Sequence, residues 1–342
     1  SGNHKIMKII SKWASFDEYV GTLSKNFNKY SLFHQPIWLN AVKKGFNVDI
    51  KSILTFSDQD NLVALTPIMV KKKGPFCLMG SPLRGMYTEH AGILFKDSSE
   101  KELQSKILKS QLNLLKNNAD YIEFGFNVNF DDLREQFIFM NFKEIISKSS
   151  EIDISLEKDQ LWDSYSSRAR NMIRKSEKNN VSIAITAPDR NWINNYYQML
   201  SDTFSRQGKK CPHPKNFFLE LIELHDSKKA LFLTAKLDSE MISAAIFLIN
   251  QNKMIYLSGT ANKKGMSLAA TSAIQWHAMQ YGHKNGHVIF DMGGLGIPSI
   301  DKFKLSFGGE VYNKSRWVYQ NRLFSIVEPM ARWAIDRGFI RF

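Results

Sequence analysis

Twice along its 342 residues the chain runs through the same order of elements: strand, helices, an antiparallel meander, helix, strand. That recurrence constrains the fold more than any single motif does. Each pass supplies one sheet and the helices to cover it. In the first pass, strands are expected at Lys8–Ser11, Val48–Phe56, Leu62–Val70, Phe76–Gly80 and Asp120–Phe126, with helices at Phe16–Phe27, from Pro36, at Ser98–Asn117 and at Phe130–Met140. In the second, strands are expected at Ile152–Ser155, Val181–Thr186, Ala230–Leu237, Met241–Ile249, Lys253–Thr260, His287–Phe290 and Glu310–Gln320. Its helices are expected at Leu156–Lys178, Asp189–Arg206, Pro214–His225, Leu268–Tyr281 and Phe324–Arg337. The fold class is α/β (α+β), with mixed, mostly antiparallel sheets flanked by helices. The boundary is expected near 145–155, where Ile146 to Glu151 is short and polar, giving domains at 1–150 and 151–319.

Composition narrows the function classes. With 43% hydrophobic residues the chain can fill two cores, yet no run of eighteen apolar residues could cross a bilayer. The start of the chain shows no signal-peptide apolar region, and residues 1–6, ahead of Met7, are set aside. Cys77 and Cys211 give neither a disulfide framework nor metal spacing, so a cytoplasmic location is expected. The 46 Lys and Arg outnumber 33 Asp and Glu, a net charge of +13 shared by both halves. Such a surface suits a polyanionic partner: nucleic acid, a nucleotide-linked precursor or an anionic membrane surface. A generally basic soluble protein is the plain alternative.

The densest motif is Phe290 to Gly309, FDMGGLGIPSIDKFKLSFGG, after an apolar strand. Gly293, Gly294 and Gly296 permit backbone geometry that a Cβ forbids. Ser299 is expected to cap a short helix, Ile300–Ser306, which Gly308 stops. Ile300, Phe303 and Phe307 would then share a buried face. Lys302 points away, and Lys304 flanks the buried face. A strand, a glycine loop and an inward lysine look like a site; a tight connection with a snorkelling lysine is the alternative.

Three further groups could carry chemistry. Loop Ser81–Gly92 presents Arg84, Tyr87, Thr88, Glu89 and His90. In the basic helix Arg170 and Arg174 lie one turn apart, and Arg168 and Lys175 two turns apart, which suits a phosphate as well as a solvated face. Arg206 closes a helix before Gly208, where it also complements the helix dipole, and Tyr256 ends a strand as core or site. There is no phosphate loop of the G-x-x-x-x-G-K-[ST] type, no G-x-S-x-G elbow and no H-E-x-x-H zinc motif. No DNA-reading motif is present, and Gly293-Gly294-x-Gly296 is a weak dinucleotide signal.

Taken in chain order, these motifs resemble the Fem-type aminoacyltransferases and their GNAT-related relatives. The matching pieces are FHQPIWL at 33–39, GSPLRG-Y-T-E-H-AG at 80–92, LWDSYSSRARNMIRKSEKNNV at 161–181, TFSRQG at 203–208 and PKNFF at 214–218. IYLSGTA at 255–261 and FDMGG to FKLSFGG at 290–309 complete the set. The resemblance implies a tandem pair of GNAT-like domains, with residues of roughly 320–342 packing back onto the first domain. It implies transfer of an aminoacyl group from aminoacyl-tRNA to an amine of a nucleotide-linked or lipid-linked cell-envelope precursor, such as peptidoglycan. No tightly bound cofactor is implied. The family's inward lysine and its preceding phenylalanine fall on Lys304 and Phe303. Arg206 matches an arginine that grips the acceptor's anionic part, and Tyr256 also matches. A fixed cation would stabilise the oxyanion of acyl transfer. A substrate carboxylate, Asp291 or water would take the amine's proton.

Two departures bear on the donor. Some Fem proteins carry a helical hairpin taken to help bind tRNA, and no heptad-bearing, coiled-coil insertion is present here. GNAT domains that use acetyl-CoA carry [QR]-x-x-G-x-[GA] before a helix. Its counterpart here, Asn262-Lys263-Lys264-Gly265-Met266-Ser267, is degenerate. An acyl-CoA- or acyl-carrier-dependent transferase acting on an amino sugar stays open at this point, as does a binding module that has lost catalysis.

Overall fold

In a computed structural model, which describes residues 8–58, 60–96, 100–125 and 133–336, with side chains to 330, the chain forms two compact units. Unit 1 takes the chain up to Leu39, Asn47–Ile146 and the part from Lys314 onward, and unit 2 takes Asn40–Phe46 and Ser147–Asn313.

Unit 1 opens with β1 (Ile10–Ala14), α1 (Phe16–Asn26), a 3-10 turn and α2 (Pro36–Phe46, whose residues 40–46 belong with unit 2). The hairpins β2 (Asp49–Phe56), β3 (Leu62–Lys73) and β4 (Phe76–Ser81) follow, then β5 (Leu94–Phe95), α3 (Lys101–Lys116), β6 (Tyr121–Gly125) and α4 (Arg134–Phe139). Helix α1 forms because Ser15 and Glu18 close a reciprocal capping box, and α2 starts at Pro36, whose missing N–H costs nothing there. The strand order is β1-β2-β3-β4-β6, completed by β13 (Glu310–Gln320). All pairs are antiparallel except β4 with β6. Ile68, Leu108, Leu112, Ile122, Phe124, Phe137 and Trp317 are buried together as its core. After β13, α12 (Arg322–Asp336) sets Phe324 against the rings of Phe76 and Tyr121.

Unit 2 repeats the plan. It contains β7 (Lys143–Asp153), α5 (Lys158–Ser164), α6 (Ser167–Lys178), β8 (Ser182–Ile185), α7 (Arg190–Ser205) and α8 (Lys215–Asp226). Then come β9 (Ala230–Leu237), β10 (Glu240–Asn250), β11 (Lys253–Ala261), α9 (Lys263–Ser267), α10 (Ala270–Lys284), β12 (Ile289–Leu295) and α11 (Pro298–Leu305). Its order is β8-β9-β10-β11-β12-β7, and again one internal pair, β11 with β12, is parallel. Ile154, Leu161, Ile173, Phe247, Met254, Ile274, Phe290 and Phe307 are buried as its core. The last strand of each unit comes from an exchanged position in the chain. Strand β7 leaves unit 1 and pairs with β12, and β13 leaves unit 2 and pairs with β6.

Several expectations need correction. The short polar segment at 146–151 lies inside a strand, β7, and the units divide there between Ile146 and Ser147; Ser149 and Ser150 are buried, so small hydroxyl residues do the work of apolar ones. The continuous helix expected at 156–178 is broken at Tyr165, and the side chain of Ser166 caps the second piece through Ala169 N. A helical turn, α9, precedes α10. Strand β12 runs on to Leu295 through the glycines that were read as a loop. The cap of α11 is not Ser299: Pro298 starts the helix, and Asp301 accepts from Gly296 N at 3.0 Å and Ile297 N at 3.3 Å. Ile300 is 42% exposed rather than buried. Ser98, Ser99, Phe126, residues 130–132 and residues 337–342 of the expected elements lie outside the described residues.

Among the described residues no helix is long and apolar enough to cross a membrane. His34 sits in unit 1 with Nδ1 2.9 Å from Ser31 Oγ and Nε2 3.4 Å from Gly92 O. Burial pushes its pKa down to about 4. A depressed histidine is neutral in the fold, so its contribution is complete above pH 6.5 and is lost as pH falls from there to about 4. Denaturant midpoints followed across that window should drop by the equivalent of on the order of 2–3 kcal/mol. A His34→Gln variant should flatten that part of the profile.

Candidate functional site

The two strands of the parallel pair in unit 2 stay together only from Lys253–Ile255 against Ile289–Asp291. Beyond that point β11 continues beside β10 and β12 beside β7, so the strands part. Both are bulged there. Leu257 is the extra residue on β11, between Tyr256 and Ser258, and Met292 is the extra residue on β12, between Asp291 and Gly293. A bulge re-aims the residues that follow it. Gly293 has φ +77°, a conformation that Gly adopts without strain.

Lys304 closes the mouth of this opening. Its Nζ donates to Gly294 O at 2.7 Å, and it lies 3.5 Å from where a side chain on Gly293 would begin. Tyr256 O lies 3.6 Å from the same point. The lysine is half-buried, while Lys302 is exposed. Phe303, half-buried, packs edge-on against buried Phe307 with ring centroids 5.3 Å apart, which fixes the rotation of α11 and so the direction of Lys304. Tyr256 packs its ring on Phe247 at 5.6 Å, and burial raises its pKa to about 12, so it stays a neutral phenol.

The far end of β11 forms a second feature. Helix α7 follows the strand: Tyr196 OH donates to Ser258 Oγ at 2.6 Å, and the hydroxyls of Thr203 and Thr260 lie 3.0 Å apart. Arg206, at the end of α7, donates to Thr203 Oγ1 at 2.9 Å and to Ala261 O at 3.5 Å. An open groove of about 670 Å³ lies here, lined by Asp202, Ser205, Arg206, Glu240, Asn262, Lys263 and Lys264. Five residues of strand separate it from Tyr256, roughly 15 Å at the usual rise.

The remaining expected residues are placed differently. Arg170 donates to Asp163 O at 3.1 Å and Trp162 O at 3.5 Å, closing the C-terminal end of α5. Arg174 lies over the Trp162 ring at 5.2 Å. Arg168, Lys175 and Lys178 are exposed. Among the described residues these five bases make no ion pair. Arg84 and Tyr87 lie in unit 1, in the loop after β4; Arg84 N donates to the buried Glu123 at 3.1 Å, and Tyr87 has φ +52°. Burial raises the pKa of Glu123. Asp291, expected as a catalytic group, is fully buried and held by groups from neighbouring strands. Its partners Ser149, Tyr312 and Lys253 escaped sequence reasoning, because nothing local marks three residues so far apart as neighbours. Among the described residues no group of three His, Cys, Asp or Glu side chains could hold a metal ion.

Residues 238–315 match the model of the FemAB family. This segment is similar to that family. It holds Tyr256, Asp291, Phe303 and Lys304, and excludes Arg206 and the basic helix. A crystal structure of FemX superposes with a TM-score of 0.68 at 16% identity, covering 93% of this chain and 99% of that one. A tandem GNAT protein from the clavulanic acid biosynthesis pathway gives 0.56 at 9%, covering 92% and 98%. L-PGS from Bacillus licheniformis gives 0.54 at 13%, covering 92% and 95%. At these identities the likeness establishes the fold: a tandem GNAT-like architecture. No curated protein matches the sequence.

The turn between β11 and α10 is closely packed. A Cβ on Gly265 would lie 2.1 Å from Ile242 O, a backbone atom that cannot swing aside. Gly265→Ala should therefore displace α9 and lower stability by about 2–3 kcal/mol, read as a shifted denaturant midpoint.

Proposed function

We propose that this chain transfers an aminoacyl group from aminoacyl-tRNA to an amine of a cell-envelope precursor. The observation that carries the reading is the parted pair β11 and β12 with the Lys304 ammonium at its mouth. The amine nitrogen attacks the ester carbonyl carbon, and the carbonyl oxygen becomes an oxyanion. A fixed cation in a partly desolvated opening stabilises that charge. Lys304 Nζ donates to Gly294 O, which holds the ammonium at the mouth where the oxyanion would form. Collapse then breaks the bond to the tRNA 3′ oxygen, which leaves carrying the proton the amine has lost. Water or a substrate carboxylate carries that proton, since Asp291 is sealed away.

The turn that would cradle a CoA pyrophosphate weighs against that donor. Asn262 Oδ1 accepts from Gly265 N at 2.8 Å, and the N–H groups of Met266, Leu268 and Ala269 are bonded within the same turn. Backbone donors already spent there offer little to a phosphate. Arg206 and Lys263 in the groove instead suit the anionic part of an extended acceptor, with its reacting amine roughly 15 Å away. The exposed bases of α6, with Arg174 stacked on Trp162, suit the tRNA backbone. The reaction is placed in the cytoplasm, where charged tRNA is available, at or near the inner membrane face.

Labelled aminoacyl-tRNA and labelled acetyl-CoA, each offered with a nucleotide-linked peptide or an amino sugar, test the donor. Transfer from the tRNA ester alone is expected. Transfer only from CoA would replace the reading, and tight precursor binding with no transfer would make the chain a binding module. Lys304→Ala should cut kcat by about 10²- to 10³-fold with an unchanged circular dichroism spectrum. Replacing Arg168, Lys175 and Lys178 together by Gln should weaken tRNA binding and reduce the slope of log K against log salt by about 2–3. An unaltered slope would return α6 to a solvated face.

A further inference from the structure

We infer that Asp291 is a positioning residue for Lys304, acting through the bulge of β12. The inference rests on the reading of Lys304 as the cation at the reaction centre. Asp291 is the last residue of β12 that pairs with β11, so it stands where the strands part. Its carboxylate is fully buried and is gripped from several elements. Oδ1 accepts from Gly293 N at 2.7 Å and from Ser149 Oγ of β7 at 3.4 Å. Oδ2 accepts from Tyr312 OH of β13 at 3.1 Å and lies 3.8 Å from Lys253 Nζ of β11, which is itself paired with Glu151 of β7.

The bond to Gly293 N is the one with consequences for chemistry. It bridges the bulged Met292 and holds Gly293 at φ +77°. That geometry in turn presents Gly294 O to Lys304 Nζ at 2.7 Å. An alternative chain path through the bulge would carry Gly294 O away and leave the ammonium to swing on its flexible stem. A buried carboxylate held by hydroxyls and one ammonium is well suited to this task, because a charged acceptor forms a shorter and stronger bond to an N–H than a neutral one does. It is ill suited to act as a base, having no exposed oxygen to receive a proton from substrate.

The test compares Asp291→Asn with Asp291→Ala in the full chain. Asn keeps an oxygen for Gly293 N, and Ala does not. Two readouts are independent of catalysis: hydrogen exchange at the Gly293 amide, and the rate at which an N-hydroxysuccinimide ester acetylates Lys304, followed by mass spectrometry. Ala should speed exchange at Gly293, change the labelling rate of Lys304, and lower kcat about 10-fold or more with KM within about twofold; Asn should restore most of all three. Should the Ala variant not fold, Ser149→Ala with Tyr312→Phe loosens the same carboxylate and should show the same changes in milder form. A folded Ala variant, or the double variant in its place, with unchanged Gly293 exchange and Lys304 labelling would overturn the inference. Altered exchange and labelling with unchanged transfer, in a protein whose Lys304→Ala form is also fully active, would support the strut and sink the reading of Lys304 instead.

Discussion

The parting of β11 from β12 is the event on which unit 2 depends. A parallel pair three residues long cannot hold two strands together by itself, so each strand is secured elsewhere, β11 by β10 and β12 by β7. The two bulges stand at the fork, where the ladders must change partner. They free Tyr256 O and the Gly293–Gly294 backbone from sheet pairing between the two strands. An opening made this way presents main chain from both strands, and the Lys304 ammonium stands beside it. Electrostatics of this kind demands little of the rest of the sequence, which suits a fold kept at 9–16% identity among its structural neighbours.

The exchanged last strands explain why the chain is read best as one protein with two units rather than two domains in series. A cut at residue 150 would fall inside β7, leaving the first piece most of that strand without β13 and the second piece β13 with only the end of β7. Each would expose the edge of β6 or β12, with its backbone donors and acceptors unpaired. Ser149 and Glu151 of β7, and Tyr312 of β13, also supply the surroundings of Asp291. The strand exchange is thus built into the support of the site in unit 2, not only into its sheet.

Much of this was legible in the sequence. Alternation marks β2 and β3, apolar runs mark β9 and β10, and the stretch at 290–309 marks the candidate site because glycines cluster where a bulge and a close approach need them. What failed did so for local reasons. Only the end of β7, from Ile152, reads as strand, because Ser149 and Ser150 hide the buried positions before it from a period-2 pattern. Ser299 reads as a cap because it precedes a helix, yet Asp301 reaches back two residues further and wins by charge. The density of charge in α6 also does not say which guanidinium is already engaged: Arg170 is held by the carbonyls of Trp162 and Asp163. Asp291 reads as a base because a carboxylate beside a glycine loop looks available; only three dimensions show that four donors from four strands have claimed it.

The roles of the two charged groups follow from their exposure. Lys304 keeps part of its surface in solvent and donates to the Gly294 carbonyl, so it is oriented without being sealed away. Asp291 surrenders its whole surface and cannot be available, but for that reason it orients well: a carboxylate fixed by a hydroxyl, a phenol, an ammonium and an amide has little freedom to move. Placing the rigid anion beneath the bulge and the adaptable cation above it separates the task of holding geometry from the task of meeting charge. A single residue asked to do both would have to be buried for the first and exposed for the second.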